Sequence, residues 1–307
     1  MTTLKAAVLA SLMAAAGARD VPENVRNFYN SVKARGDCSN KLATGFHSEE
    51  GDAANFSYCG DHLTDDNVIY LQGPHNQFVN IDIDCDGIQK GPADDGRCGS
   101  SDDTQSQTSF QDIVRSYGTG QKDLDANAHT YVVFGNEGSK KGYKTFDPRK
   151  YGVEPLSVMA AVCGDKLVYG VWGDTNGDDG PSLVGEASIS LATLCYGKSM
   201  NGNNGHAEND VLFIAFPGKD AVPGAKGAKW NAQNANEFEA SISGLGDKLI
   251  QRLGGGGGGG GGDPSPTPTP SPPTNNCSWK GHCAGASCRS GDDCADDLRC
   301  RSGKCAA

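Results

Sequence analysis

The stretch Leu167 to Gly197, LVYGVWGDTNGDDGPSLVGEASISLATLCYG, holds the residues most suited to chemistry. Asp174 directly follows an apolar run with strand character. Glu186 follows a Gly/Pro/Asp-rich loop and opens a second run, Ala187 to Leu191, expected to be a strand. The end of one strand and the start of its neighbour can face one cleft, where rigid elements hold both side chains. Two carboxyl groups held in this way suffice to cleave a glycosidic bond, one protonating the leaving oxygen and the other activating water. Asp174 is assigned as base and Glu186 as acid, although the acid is whichever carboxyl has its pKa raised by its surroundings. The competing reading is that both are turn-forming or solvated acids, as most Asp residues in such loops are.

Other chemistries find little support. The chain has no GxSxG elbow, no HExxH and no GxxxxGK[ST]. Its six histidines are scattered without metal spacing, and residues such as His129 and His206 read as ordinary hydrogen-bonding groups. Two Asp-rich runs invite a calcium reading: Asp174, Asn176, Asp178 and Asp82, Asp84, Asp86-Gly87. An EF-type loop needs a carboxylate at its twelfth position, where these runs have Gly185 and Ala93, so both fail. The alternation of Asp82 and Asp84 with Ile81 and Ile83 reads instead as a strand with one wet face. No metal and no cofactor is expected.

The elements around these residues follow from composition. The 307 residues carry 27 Lys+Arg against 38 Asp+Glu, a net charge of −11, with 43 Gly, 14 Pro and 12 Cys. Such an acidic chain repels phosphate, which excludes nucleic acid and anionic membranes as partners, and it steers cations inward. Met1 to Lys5, the small apolar run Ala6 to Ala15 and Ala16-Gly17-Ala18 fit a secretory signal peptide over residues 1–18. The protein is therefore expected to be secreted, with oxidised cysteines; it is also expected to be a monomer. Asn55-Phe56-Ser57 and Asn276-Cys277-Ser278 are candidate glycan acceptors. Nine glycines from Gly254 and a Pro/Ser/Thr run make 254–276 a linker. It separates a body, 19–253, from a tail, 277–307, with six cysteines. The tail is too small for a core and must be held by disulfides, and its spacings lack the CxxC pairs of a zinc site. The acidity belongs to the body, since the tail has five basic residues against four Asp.

The body reads as mainly β, a small barrel or sandwich with terminal helices packed on it. Val25, Phe28, Tyr29 and Val32 repeat at helical spacing near its start, and Phe238, Ile242, Leu245, Leu249 and Leu253 near its end. Val68 to Leu71, Tyr131 to Phe134 and Val211 to Ile214 read as strands. Leu156 to Cys163, a Gly164-Asp165 turn and Lys166 to Trp172 read as a hairpin. The body cysteines are expected to pair with one another, and Cys163 with Cys195 would staple the stretch between them.

The body resembles the fungal secreted chitosanases of glycoside hydrolase family 75. The resemblance runs through Phe56 to Asp61 (FSYCGD), Asn80 to Gly87 (NIDIDCDG), Asp123 to Asn127 (DLDAN), Tyr131 to Glu137 (YVVFGNE) and Pro155 to Met159 (PLSVM). It continues through Tyr169 to Gly177 (YGVWGDTNG), Gly185 to Ala192 (GEASISLA) and Gly218 to Gly224 (GKDAVPG). The chain departs from the family pattern in Asp178 to Val184. The resemblance implies that Asp174 and Glu186 are the catalytic pair. It also implies endo-hydrolysis of β-1,4-linked glucosamine in chitosan, with inversion and without a cofactor. Two alternatives are a non-catalytic chitosan- or wall-binding protein and a hydrolase of another β-glucan; the acidic body argues against the latter. The run from Asp174 through GEASISLA is similar to the psi loops of double-psi β-barrels. The tail resembles small cysteine-rich modules of secreted fungal polysaccharide-active enzymes. There Trp279 either stacks on sugar, chitin included, or fills the disulfide cluster.

Overall fold

The computed structural model describes residues 18–254, with 299–301 and 304–306 of the tail. The signal-like segment up to Gly17, the linker from 255, Trp279 and the second glycan triplet lie outside the described residues. The chain divides into two units, the first ending at Gly259 and the second beginning at Gly260.

Within the body the chain runs β1 (Arg19–Asp20), α1 (Glu23–Arg35), β2 (Lys41–Phe46), β3 (Phe56–Cys59), β4 (Ile69–Gln72) and β5 (Val79–Asp84). It continues through α2 (Gln111–Ser116), β6 (Tyr131–Asn136), β7 (Val158–Cys163), β8 (Lys166–Asn176), β9 (Glu186–Ser188) and α3 (Ile189–Tyr196). It ends with β10 (His206–Ala215), α4 (Gly224–Gly227) and α5 (Ala235–Leu249). The protein is thus mainly β. Six strands pair in a closed ring: β8 with β6, β6 with β9, β9 with β5, β5 with β10, β10 with β7, and β7 back to β8. Strands β4, β3 and β2 extend the sheet outward from β10. In the tail, β11 (Arg299–Arg301) and β12 (Lys304–Ala306) form an antiparallel hairpin with Cys300 opposite Cys305.

The terminal helices fall where the apolar spacing put them. In α1, Val25, Phe28 and Val32 are buried, each burial contributing about 1.5–3 kcal/mol. Glu23 in the first turn and Lys33 and Arg35 in the last complement the helix dipole. Helix α5 starts at Asn234, whose side chain accepts from the Glu237 amide at 3.0 Å. It buries Phe238, Ile242 and Leu249.

Arg19, the first residue after the expected cleavage point, is tied into the body. Its guanidinium donates to Glu239, fully buried, at 2.9 Å and to Asp247 at 2.8 Å. It also lies over the Tyr169 ring, 4.8 Å from the centroid.

The hairpin is present as β7 and β8, with Gly164 at φ 61 in its turn. Two expectations change here. Asp174 lies within β8, not after it, because β8 continues to Asn176 by pairing with β6. The run Ala187 to Leu191 is only briefly a strand. Ser188 caps a helix with its hydroxyl, accepting from the Leu191 amide, and the chain turns into α3.

The body cysteines pair as Cys38–Cys59, Cys85–Cys98 and Cys163–Cys195. The last joins the end of β7 to α3 across 32 residues, contributing about 3–4 kcal/mol on chain-entropy grounds. Among the described residues no helix is long and apolar enough to cross a membrane.

Candidate active site

Strand register brings the two sequence-selected carboxylates together. Val133 of β6 is the partner of Asp174 on β8 and of Glu186 on β9. Glu186 is in turn the partner of Asp82 on β5. Asp174, Val133, Glu186 and Asp82 therefore stand in one row across four neighbouring strands. Directly opposed residues share a sheet face, and strands lie about 4.8 Å apart, so Asp174 and Glu186 are separated by about 9–10 Å at their Cα atoms.

The row depends on one irregularity. Val132 pairs with Trp172 and Val133 with Asp174, so Gly173 is an extra residue on β8. This bulge turns Asp174 to the face of Val133 while Trp172 goes into the core. There Trp172 meets Phe110 edge-on at 4.9 Å and donates to the Asp174 carbonyl at 2.9 Å. A Cβ at Gly173 would lie 2.5 Å from Cβ of Tyr131, so only glycine fits. Gly185 plays the matching part before Glu186. It has φ +95, and a Cβ there would meet Asn80 Oδ1 at 2.7 Å.

The row opens into a cleft of about 460 Å³. Asp82, Asp84, Asp86, Asp174 and Glu186 line its inner part, and the exposed Glu50, Asp102, Asp103 and Asp179 line its rim. Among the described residues, no Lys, Arg, His or aromatic residue lines it. A second hollow of about 260 Å³ shares Asp86, Asp174 and Asn176 with it and extends toward Gln107, Ser109 and Glu137. The Asp82–Asp84 strand is present, but its polar face is the cleft wall and not open surface: Asp84 is only 5 % exposed. The Tyr131 hydroxyl on β6 donates to Asp84 Oδ1 at 2.9 Å and holds that carboxyl inside the ring.

The carboxyl groups are held differently. Asp174 Oδ1 accepts from the Ser109 amide at 2.9 Å, the Ser109 hydroxyl at 2.5 Å and the Thr175 amide at 2.8 Å. Ser109 is positioned by its neighbour Thr108, whose amide and hydroxyl donate to buried Asp123 at 2.9 and 2.6 Å. Burial pushes the Asp174 carboxyl up to about 6, against the lowering effect of these donors. Glu186 has no such donors. Burial first, then the charges of Asp82 and Asp174, push it up to about 8. Burial raises Asp82 to about 6 and Asp86 to about 7.

Asp84, Asp86 and Asp174 each place one carboxylate oxygen within 4.8 Å of the others, a spacing that suits a shared water or a small cation. His129 is structural, as expected of a lone histidine. Its Nδ1 accepts from the Asp125 amide at 2.9 Å and its Nε2 donates to the Trp230 carbonyl at 2.7 Å. His206 stacks on Tyr196, outside the cleft. Sequence reasoning missed Ser109, which has no motif signal and reaches Asp174 only through the fold.

A family model described as fungal chitosanase of glycosyl hydrolase group 75 matches residues 81–252, a span that includes the whole carboxylate row. The chain is 47 % identical over 252 residues to an endo-chitosanase of Aspergillus oryzae, covering 80 % of this chain and 97 % of that one. It is also 47 % identical over 247 residues to an endo-chitosanase of Aspergillus fumigatus, covering 79 % and 95 %. Endo-chitosanase B of Aspergillus oryzae is 44 % identical over 245 residues, covering 79 % and 95 %. The chain therefore belongs to the fungal chitosanase family of glycosyl hydrolase group 75.

Proposed function

We propose that the protein is a secreted endo-chitosanase that cleaves β-1,4 glucosamine linkages with inversion, Asp174 acting as general base and Glu186 as general acid. The observation that carries this is the cleft: every charged residue lining it is acidic, and two of its carboxylates stand two strands apart on one face. Protonated amines along chitosan match such a surface, whereas a neutral glucan gains nothing from it. With no aromatic ring among the described residues of the cleft, its charge and hydrogen bonds are what hold the sugar. Inverting glycosidases separate their carboxyl groups by about 6.5–9.5 Å and retaining ones by about 5–5.5 Å. A two-strand separation fits the former.

The pKa order supports the roles. Between about 6 and about 8, Asp174 is ionised while Glu186 keeps its proton. Glu186 then protonates the leaving oxygen as Asp174 takes a proton from the attacking water. Asp174→Asn and Glu186→Gln should each lower kcat on soluble chitosan by about 10²–10⁴-fold with the fold intact by circular dichroism. New reducing ends should be the α-anomer by NMR, and viscosity should fall early, as endo cleavage requires. Near-normal turnover in either variant, or β product, overturns the assignment; binding without any cleavage favours a non-catalytic chitosan-binding protein.

The signal-like N-terminus and the three body disulfides support secretion. The tail is proposed as a carbohydrate-binding module with Trp279 as its stacking residue, chitin being a candidate ligand. Ending the chain after Gly254, whose amide donates to Asp66, keeps every cleft residue. That truncation should spare soluble substrate and lose activity on insoluble chitosan, as tethering predicts. Equal loss on both would refute a separate binding module.

A further inference from the structure

We infer that Asp84 holds the attacking water together with Asp174, as a water-positioning residue of the reaction. This rests on the assignment of Asp174 as base. The Oδ1 atom of Asp174 is saturated by three donors, while its Oδ2 is buried and accepts no hydrogen bond from the protein. Asp174 is 5 % exposed, so the unused oxygen faces a confined site rather than bulk solvent. One carboxylate oxygen each of Asp84, Asp86 and Asp174 lies within 4.8 Å of the others. Two oxygens that each bond one water at about 2.8 Å and a tetrahedral angle lie about 4.6 Å apart. The triangle is therefore the size of a water site.

Hydrogen counting gives Asp84 its part. A water has two protons to donate, so of three carboxyl groups around it at most two can be acceptors. The third must donate. Asp84 is the best placed to carry that proton. Its Oδ1 already accepts from the Tyr131 hydroxyl at 2.9 Å and the Asp86 amide at 2.6 Å, which fixes the carboxyl plane. Asp86 accepts the Gln105 amide at 2.6 Å and is only half-buried, so burial raises it less far, to about 7. Burial first, then the facing charges of Asp174 and Asp86, holds Asp84 toward its neutral form. In the reaction, a lone pair of the water oxygen forms the bond to the anomeric carbon, and the bond from that carbon to the leaving oxygen breaks. One water proton goes to Asp174, and the Glu186 proton goes to the leaving oxygen. Asp84 keeps its own proton and fixes the direction of the lone pair.

The test compares Asp84→Ala with Asp84→Asn, whose amide donates as the neutral acid does. Substrates are soluble chitosan and the β-fluoride of a glucosamine trimer, which leaves without protonation. Asp84→Ala should lower kcat about 100-fold on both substrates while KM moves less than threefold. Asp84→Asn should recover to within about tenfold of the parent. Glu186→Gln, in contrast, should regain most activity on the fluoride only. Tyr131→Phe frees the Asp84 carboxyl without touching the water and should lower kcat about fivefold at constant KM. The proposal is overturned if Asp84→Ala turns over normally, or if Asp84→Asn is as inactive as Asp84→Ala. It is also overturned if a chelator abolishes parent activity and a divalent cation restores it, since a cation would then occupy the triangle. Glu186→Gln staying inactive on the fluoride would instead remove Glu186 as the acid, a failure separate from that of Asp84.

Discussion

Replacing Asp82 by Asn should move the alkaline limb of the pH profile and leave the acid limb in place. Asp82 and Glu186 are register partners on parallel neighbouring strands, with side chains on one face. After burial, Asp82 is the largest influence holding the Glu186 proton. Opposed cross-strand Cβ atoms are about 5 Å apart, so the carboxyl heads stand about 6 Å apart. At an effective dielectric of about 20–40, two unit charges at that distance interact by about 1.4–2.8 kcal/mol, or about one to two pKa units. Asp82, pushed up to about 6, is ionised throughout the range in which Glu186 titrates near 8, so the whole interaction is felt there. Removing it lets Glu186 lose its proton earlier, and activity at pH 8 falls while activity near pH 6 is retained. The assay is kcat/KM on a soluble glucosamine hexamer from pH 4.5 to 9 at constant ionic strength, which reports the free enzyme. Deprotonation of substrate amines is common to both proteins and cancels in the comparison. An alkaline limb displaced by less than about 0.3 units would refute the reasoning, as it would require that burial alone sets the Glu186 proton.

Two further outcomes concern stability. Asp82, Asp86, Asp174 and Glu186 all have folded-state pKa values raised above their ordinary range, so between about pH 4 and 8 these four groups bind more protons in the folded protein than in the unfolded chain, outweighing the buried His129, which is lowered. Stability should fall as pH rises through that window, and Glu186→Gln should melt higher than the parent at pH 8; a melting temperature that climbs from pH 5 to 8 contradicts this. Arg19→Ala leaves Glu239 a fully buried carboxylate without its cation and should cost about 3 kcal/mol in urea unfolding, whereas a loss under about 0.5 kcal/mol would mean that Glu239 is compensated in another way.

Local sequence was enough to place the terminal helices, the β7–β8 hairpin and the character of the strands, because each rests on contacts between near neighbours. Apolar spacing marks α1 and α5, and Gly164-Asp165 turns the hairpin. The acidity of the body and the two motifs around Asp174 and Glu186 were equally legible. What sequence could not supply was the row itself. It needs the ring of strands to close, β6 to lie between β8 and β9, and the bulge at Gly173 to turn Asp174 onto the face of Val133. A one-residue bulge reverses the face of every side chain beyond it, and nothing in the local alternation records where the extra residue falls. Asp174 falls inside its strand because β8 lengthens by pairing with β6, and Ala187 to Leu191 turns helical because the Ser188 hydroxyl starts α3. The pKa order of the pair is also tertiary. Ser109 and the Thr175 amide hold charge on Asp174, while Asp82 and burial keep the proton on Glu186. In the proposed mechanism, residue types decide that carboxylates do the chemistry, and the packing around each one decides which gives a proton and which takes it.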